Sequence, residues 1–156
     1  MKIAVFSDSH GNVENMSRAI ESYVPDCIIH LGDKVCDADE IASRYPHKQF
    51  LQVAGNCDYA PTVEDSILVE LEGVRIFLAH GHRHGVKLGL EAFANSVYCS
   101  GAKLGLFGHT HRAVHHEIRG IQLFNPGSCG NGGRPTYGQI EIKNGDVNCK
   151  IIEIEA

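Results

Sequence analysis

Two histidines one residue apart follow a glycine at the end of an apolar run, Lys103-Leu-Gly-Leu-Phe-Gly-His-Thr-His111. Other apolar runs stop in the same polar way: Asp8 and His10 after Lys2–Phe6, Asp33 after Cys27–Leu31, Asn56 after Phe50–Ala54, and His80 after Val74–Ala79. Collected, these are four imidazoles (His10, His80, His109 and His111), two carboxylates and one amide. Imidazole and carboxylate oxygen together suit borderline first-row ions such as Mn²⁺, Fe²⁺, Ni²⁺ or Zn²⁺. Seven donors exceed one tetrahedral site. They suit two ions sharing a carboxylate, the arrangement that clamps phosphoryl oxygens between metals about 3.5–4 Å apart. Each motif alone has a plainer reading. Asp8-x-His10 is also a helix-capping loop, Gly32-Asp33 and Gly55-Asn56 are ordinary turns, and a lone histidine beside glycine is more often a satisfied core residue. The joint occurrence in five separate strand-end loops is what favours metal.

Such loops converge only if the strands that end in them run side by side. The first third alternates strand, polar loop and helix: Lys2–Phe6, a helix over Val13–Val24 capped by Asn12 and stopped by Pro25, Cys27–Leu31, a weak helix over Asp39–Tyr45, and Phe50–Ala54. That alternation implies parallel strands with right-handed crossovers, whose carboxyl-end loops meet at one crevice. Beyond residue 65 the pattern turns β-rich. Ser66–Leu71 and Val74–Ala79 form a hairpin around Glu72-Gly73. Val86, Leu90, Phe93 and Val97 mark an amphipathic helix, and Lys103–Phe107 leads into the histidine pair. Hairpins then follow around Arg119-Gly120 and Asn144-Gly145. These hairpins predict a second, mixed or antiparallel sheet packed on the first, with helices on the outer faces.

The bulk composition narrows the function classes. The chain has 156 residues, one domain by length, and a net charge of −5 with scattered Lys and Arg. No basic stripe of the kind that displaces counterions from nucleic acid is present. Apolar segments are strand-sized, too short for a membrane span or signal peptide, so the expected location is cytoplasmic. Six cysteines without a C-x-x-C pair argue against a zinc ribbon, a reducing cytosol argues against a disulfide framework, and most of the six are expected to be small buried hydrophobes.

In this order, D-x-H, G-D, G-N-x-D, H-G-H and G-H-T-H resemble the calcineurin-like metallophosphoesterases. The compact length and Phe124-Asn-Pro-Gly-Ser128 are similar to the small single-domain YfcE-like phosphodiesterases. The resemblance implies a β-sandwich flanked by helices. It implies one metal held by Asp8, His10, Asp33 and His111, and a second held by Asp33, Asn56, His80 and His109, with Asp33 bridging. It implies Mn²⁺ as the leading ion, with Ni²⁺, Fe²⁺ and Zn²⁺ as alternatives, a hydroxide shared by the two ions as nucleophile, and a small phosphoester substrate.

Asn56 and Cys57 are the candidate catalytic residues, Cys57 standing where the resemblance implies a histidine in many members of the family, one that protonates the leaving group or binds phosphate. His82 is a candidate substrate-binding residue, and His82 and His84 are alternative proton donors or simply solvated loop histidines. Pocket walls are expected from residues 34–40, 59–65, 82–86 and 129–135. Phosphomonoester hydrolysis, a non-catalytic protein-binding scaffold of the same fold, metal storage and homo-oligomerisation stay open.

Overall fold

Alternate residues of the first strand face two different cores, and that alternation explains the layering. In β1 (Lys2–Phe6), Ile3 and Val5 join an apolar cluster on one side, and Ala4 and Phe6 join another on the opposite side. A computed structural model describes residues 1–59, 62–130 and 132–155. The following elements are α1 (Val13–Tyr23), β2 (Cys27–His30), α2 (Val35–Arg44), β3 (Gln49–Gln52), β4 (Ser66–Leu71) and β5 (Val74–Ala79). A single 3-10 turn (His82–His84) precedes α3 (Glu91–Cys99), β6 (Leu104–Leu106), β7 (Val114–Ile118), β8 (Ile121–Asn125), β9 (Thr136–Lys143) and β10 (Asp146–Glu153).

Two five-stranded mixed sheets result, ordered β10-β9-β1-β2-β3 and β4-β5-β6-β8-β7. Strands β1, β2 and β3 pair in parallel, as do β5, β6 and β8, while β9, β10, β4 and β7 run antiparallel to their neighbours. Ile29, Leu31, Ile76, Leu104, Leu106 and Phe124 fill the space between the sheets. Met16, Ile20 and Ile41 carry α1 and α2 onto the outer face of the first sheet. Phe93 and Val97 carry α3 onto the outer face of the second. The architecture is a four-layer α/β sandwich. Each such fully buried side chain contributes on the order of 1.5–3 kcal/mol.

Three departures from the sequence reading have physical causes. Helix α2 begins at Val35 rather than Asp39, because the Asp58 carboxylate, from a loop 23 residues further along, accepts the backbone N–H groups of Lys34 and Val35. Most of the expected pocket wall at 34–40 is therefore helix. Helix α3 begins at Glu91, since Gly85 and Gly89 take φ of 61° and 154° and residues 85–88 are held in turns. The C-terminal hairpin joins the first sheet beside β1 instead of building the second. Residues 60, 61 and 131, expected in pocket walls, lie outside the described set. No helix among the described residues is long and apolar enough to cross a membrane.

Candidate metal centre

The loops that follow β1, β2, β3, β5 and β6 meet at one edge of the sandwich. Asp8, His10, Asp33 and His111 each offer one donor atom there, all within 4.8 Å of one another; Asp33, His80 and His109 form a second such set. Asp33 belongs to both. Asn56 Oδ1 lies 3.1 Å from His80 Nε2, beside the second set. Two clusters sharing a carboxylate are the arrangement expected of a binuclear divalent-metal site.

The hydrogen bonds show what these clusters lack. Asp8 is fully buried. Its Oδ2 accepts from Ser7 Oγ at 2.6 Å and from the His109 backbone N–H at 3.1 Å. Its Oδ1 is buried with no hydrogen-bond partner, 3.2 Å from His111 Nε2 and 3.8 Å from His80 Nε2. His80 is also buried, and its Nδ1 sits 2.7 Å from the Leu31 carbonyl, which can only accept, so Nδ1 carries the hydrogen. In the neutral ring, the Nε2 lone pair therefore faces Asn56 Oδ1, Asp33 Oδ2 at 3.4 Å and Asp8 Oδ1 at 3.8 Å. In that neutral state acceptors converge there without a donor, which a proton on Nε2 or a metal cation would resolve. Burial pushes the His80 pKa down, but its hydrogen bond to Asp33 and the charges of Asp8 and Asp33 outweigh that and leave it raised. Burial likewise disfavours an ionised Asp33, yet His80 and the Cys57 backbone N–H hold that carboxyl well below the usual carboxylate range. The donor set fits divalent metal on charge, ligand type and unsatisfied valence.

The backbone is bent to present these groups. Asp8, His10, Asp33, His109 and His111 have φ of 54°, 45°, 58°, 70° and 61°. Left-handed backbone costs a non-glycine residue roughly 1 kcal/mol or more and is held only where the surroundings enforce it. Two glycines make room for it. A Cβ on Gly55 would strike Asp33 Oδ1, and one on Gly108 would strike Ser7 Oγ.

Several supporting residues had no assigned role in the sequence reading. Asp58, the last residue of the G-N-x-D motif, accepts N–H groups from Asp33, Lys34, Val35 and Gly55 at 2.8–3.0 Å. It locks the Asp33 loop to the Asn56 loop. Asn125, within the Phe124–Ser128 motif, donates to the Gly108 carbonyl and to Thr110 Oγ1 and so braces the histidine pair. Beneath both ligand loops runs a buried chain of polar groups. The Gly32 N–H donates to His30 Nδ1, which fixes the ring hydrogen on Nε2, 3.0 Å from Ser9 Oγ. Ser9 Oγ in turn donates to Asp37 at 2.8 Å. No local motif reveals this chain, because its members are 21 and 28 residues apart.

His30 supplies a pH dependence. Burial lowers its pKa from 6.5 to about 4, against the opposing charges of Asp58 and Asp37. The unfolded chain binds this proton more readily than the native one, so stability is full above about pH 6.5 and falls as the pH drops towards 4. Urea unfolding over that range is expected to show a loss on the order of 3 kcal/mol from this group. A His30→Asn variant, whatever its absolute stability, should lose that component of the slope. An identical pH slope in the variant would assign the effect elsewhere.

The remaining sequence candidates separate. Cys57 donates its backbone N–H to Asp33 Oδ1 at 3.0 Å, while its exposed thiol lies 3.7 Å from Asn56 Nδ2. Burial and the Asp33 charge raise that thiol's pKa. The His82 ring lies 5.5 Å from that of His80 and 6.2 Å from that of His109, with Nδ1 buried and unpartnered. His84 instead packs edge-on against Phe77 and Phe93, away from the donor sets. The cysteines are less buried than expected: Cys36, Cys57 and Cys99 are exposed, and all six are free thiols.

Residues 1–145 match the family described as "Calcineurin-like phosphoesterase superfamily domain". The chain is 34% identical over 135 residues to "Probable metallophosphoesterase YsnB" of Bacillus subtilis, covering 82% of this chain and 75% of that protein. It is 28% identical over 169 residues to "Phosphodiesterase YfcE" of Escherichia coli K12, covering 90% and 88% respectively. A crystal structure of a predicted phosphoesterase from Streptococcus pneumoniae TIGR4 superposes with a TM-score of 0.81 at 23% identity, covering 97% of this chain and 88% of that one.

Proposed function

The chain belongs to the calcineurin-like phosphoesterase superfamily, and from that premise we propose that it is a single-domain, divalent-metal-dependent phosphodiesterase of the YfcE-like branch. In this reading Asp8, His10, Asp33 and His111 hold one ion, and Asp33, Asn56, His80 and His109 hold the other. Mn²⁺ is the ion we assign, because two carboxylates, an amide oxygen and imidazoles form a mixed hard and borderline set. The observation that carries the proposal is the pair of donor sets that share Asp33, beside the buried and unpartnered Asp8 Oδ1. The 28% identity to a phosphodiesterase supports the branch and the diester preference. Six free thiols suit a reducing, cytoplasmic setting.

When bound, the ions supply Lewis acidity and lower the pKa of water towards 7. The chain's own residues set the geometry for that chemistry. The hydrogen on His80 Nδ1, held by Leu31, keeps Nε2 free to ligate. The Cys57 N–H and Asp58 hold Asp33 and Asn56 in register. His82, whose ring lies 5.5 Å from that of His80, is the residue we assign to a phosphoryl oxygen of the substrate. The Cys57 thiol, with its raised pKa, stays neutral and is a poor proton donor.

Chelated protein should release nitrophenol from bis(p-nitrophenyl) phosphate only after Mn²⁺ is restored. Aryl diesters should react much faster than alkyl diesters, whose leaving groups need a proton. Cys57→His, with metal content verified, should raise alkyl-ester turnover by on the order of 10²-fold and aryl-ester turnover far less. Hydrolysis of monoesters alone would shift the reading to a phosphomonoesterase. Metal binding with no turnover of either ester, tried with Mn²⁺, Ni²⁺, Fe²⁺ and Zn²⁺, would leave a scaffold or metal-storage protein.

A further inference from the structure

A cavity of about 490 Å³ opens between the loop preceding α3 and the histidine-pair loop, a size within the ~300–1,000 Å³ typical of small-molecule sites. Its wall includes Thr110, the residue between His109 and His111, so the cavity adjoins the metal centre through its own lining. Val86, Leu90, Phe107 and Val114 give it an apolar floor, and Lys87 and Arg112 stand among its lining residues. Both cations are exposed, and among the described residues neither makes an ion pair, whereas Arg83 nearby in the chain is taken up by Asp65. Lys87 also acts on the centre itself: burial lowers the His109 pKa, and the charges of His80 and Lys87 lower it further. Two cations without an ion pair thus stand over an apolar floor in one cavity. They complement a ligand that is apolar and anionic at once.

We propose that this cavity receives one organic substituent of the phosphoester substrate, and that this substituent combines an apolar face with an anionic group of its own. The proposal rests on the phosphoesterase reading of the adjacent centre. Apolar contact with Phe107, Leu90 and Val114 would hold the body of the substituent. Lys87 and Arg112 would meet its charge, and the reacting phosphorus would lie beyond Thr110. Simple dialkyl phosphates, which fill neither feature, would then be poor substrates for reasons separate from leaving-group acidity.

The test uses naphthalene-1-sulfonate, a non-hydrolysable aryl anion. Calorimetric titration of chelated protein reads the cavity without metal, and inhibition of bis(p-nitrophenyl) phosphate hydrolysis by the Mn²⁺-loaded protein reads its relation to the centre. Leu90 is the N-cap of α3 and supplies no capping hydrogen bond. Asp and Asn are both good N-caps, so Leu90→Asp and Leu90→Asn are compatible with the helix. Leu90→Asp, placing a carboxylate in the cavity, should weaken sulfonate binding by about tenfold, and uncharged Leu90→Asn by clearly less. Lys87→Ala combined with Arg112→Ala should weaken it by about fivefold, as expected for exposed charge pairs. The sulfonate should also inhibit competitively. Absence of binding, binding indifferent to these variants, or non-competitive inhibition would each overturn the proposal. If binding follows the expected pattern but no phosphoester is hydrolysed, the reading of the metal centre has failed, and with it the substrate assignment, leaving only an aryl-anion site.

Discussion

Asp33→Asn is expected to lower hydrolysis of bis(p-nitrophenyl) phosphate by more than the ~10–100-fold typical of residues one step removed from a metal. It should also lower it by more than Asp8→Asn or Asn56→Ala does. The reason is position. Asp33 is the member common to both donor sets, so in the proposed centre its charge would offset both ions and set their separation, whereas Asp8 and Asn56 would each serve one. The substitution is also structurally mild. Asparagine tolerates the φ of 58° at this position, and its carbonyl oxygen can still accept the Cys57 N–H. A loss of turnover is then a loss of ligand charge rather than of fold. Kinetics at saturating Mn²⁺, with metal content measured, decide the matter. Equal losses in all three variants would remove Asp33 from the bridging position.

Chelation is expected to lower the melting temperature by on the order of 10 °C. Ions that bind only the native state stabilise it by about 4 kcal/mol at a thousand times their dissociation constant. A domain of this size shifts by roughly 2–4 °C per kcal/mol. The structure gives a further reason for the sign. Without cations, Asp8 Oδ1 is a buried carboxylate oxygen with no partner, and such a group costs stability until something positive meets it. Restoring Mn²⁺ should restore the melt, and Asp33→Asn should recover only part of it. An unchanged melt in verified metal-free protein would contradict a site formed by these residues.

The strand-end chemistry was legible in the sequence because each donor follows its strand within a few residues. A buried run stopped by a polar loop fixes where Asp8, Asp33, Asn56, His80 and His109 lie relative to their strands, and parallel pairing brings those ends together. The two-sheet, helix-flanked architecture followed from the same alternation. What was not legible depends on long-range contact. The start of α2 is set by Asp58 across the fold, so local propensity placed it four residues late. The sheet joined by β9 and β10 is decided by pairing with β1, more than a hundred residues away. The His30–Ser9–Asp37 chain is invisible for the same reason. Cys57 and His82 were legible as neighbours of the centre, but their chemistry depends on burial and charge that spacing does not encode.

The two sheets contribute unequally to the site, and that division has a mechanical consequence. Asp8, His10, Asp33 and Asn56 hang from strand ends of the first sheet, and His80, His109 and His111 from those of the second. The strands of the second sheet form one unbroken stretch of chain, Ser66–Asn125, inserted between β3 and β9. Ions held at this seam would tie the inserted sheet to its host as a reversible cross-link, much as a disulfide pins a loop, but set by metal supply instead of redox state. Prying the sandwich apart from that edge would first require the ions to leave. Metal exchange and the opening of the sandwich would then be the same event seen from two sides.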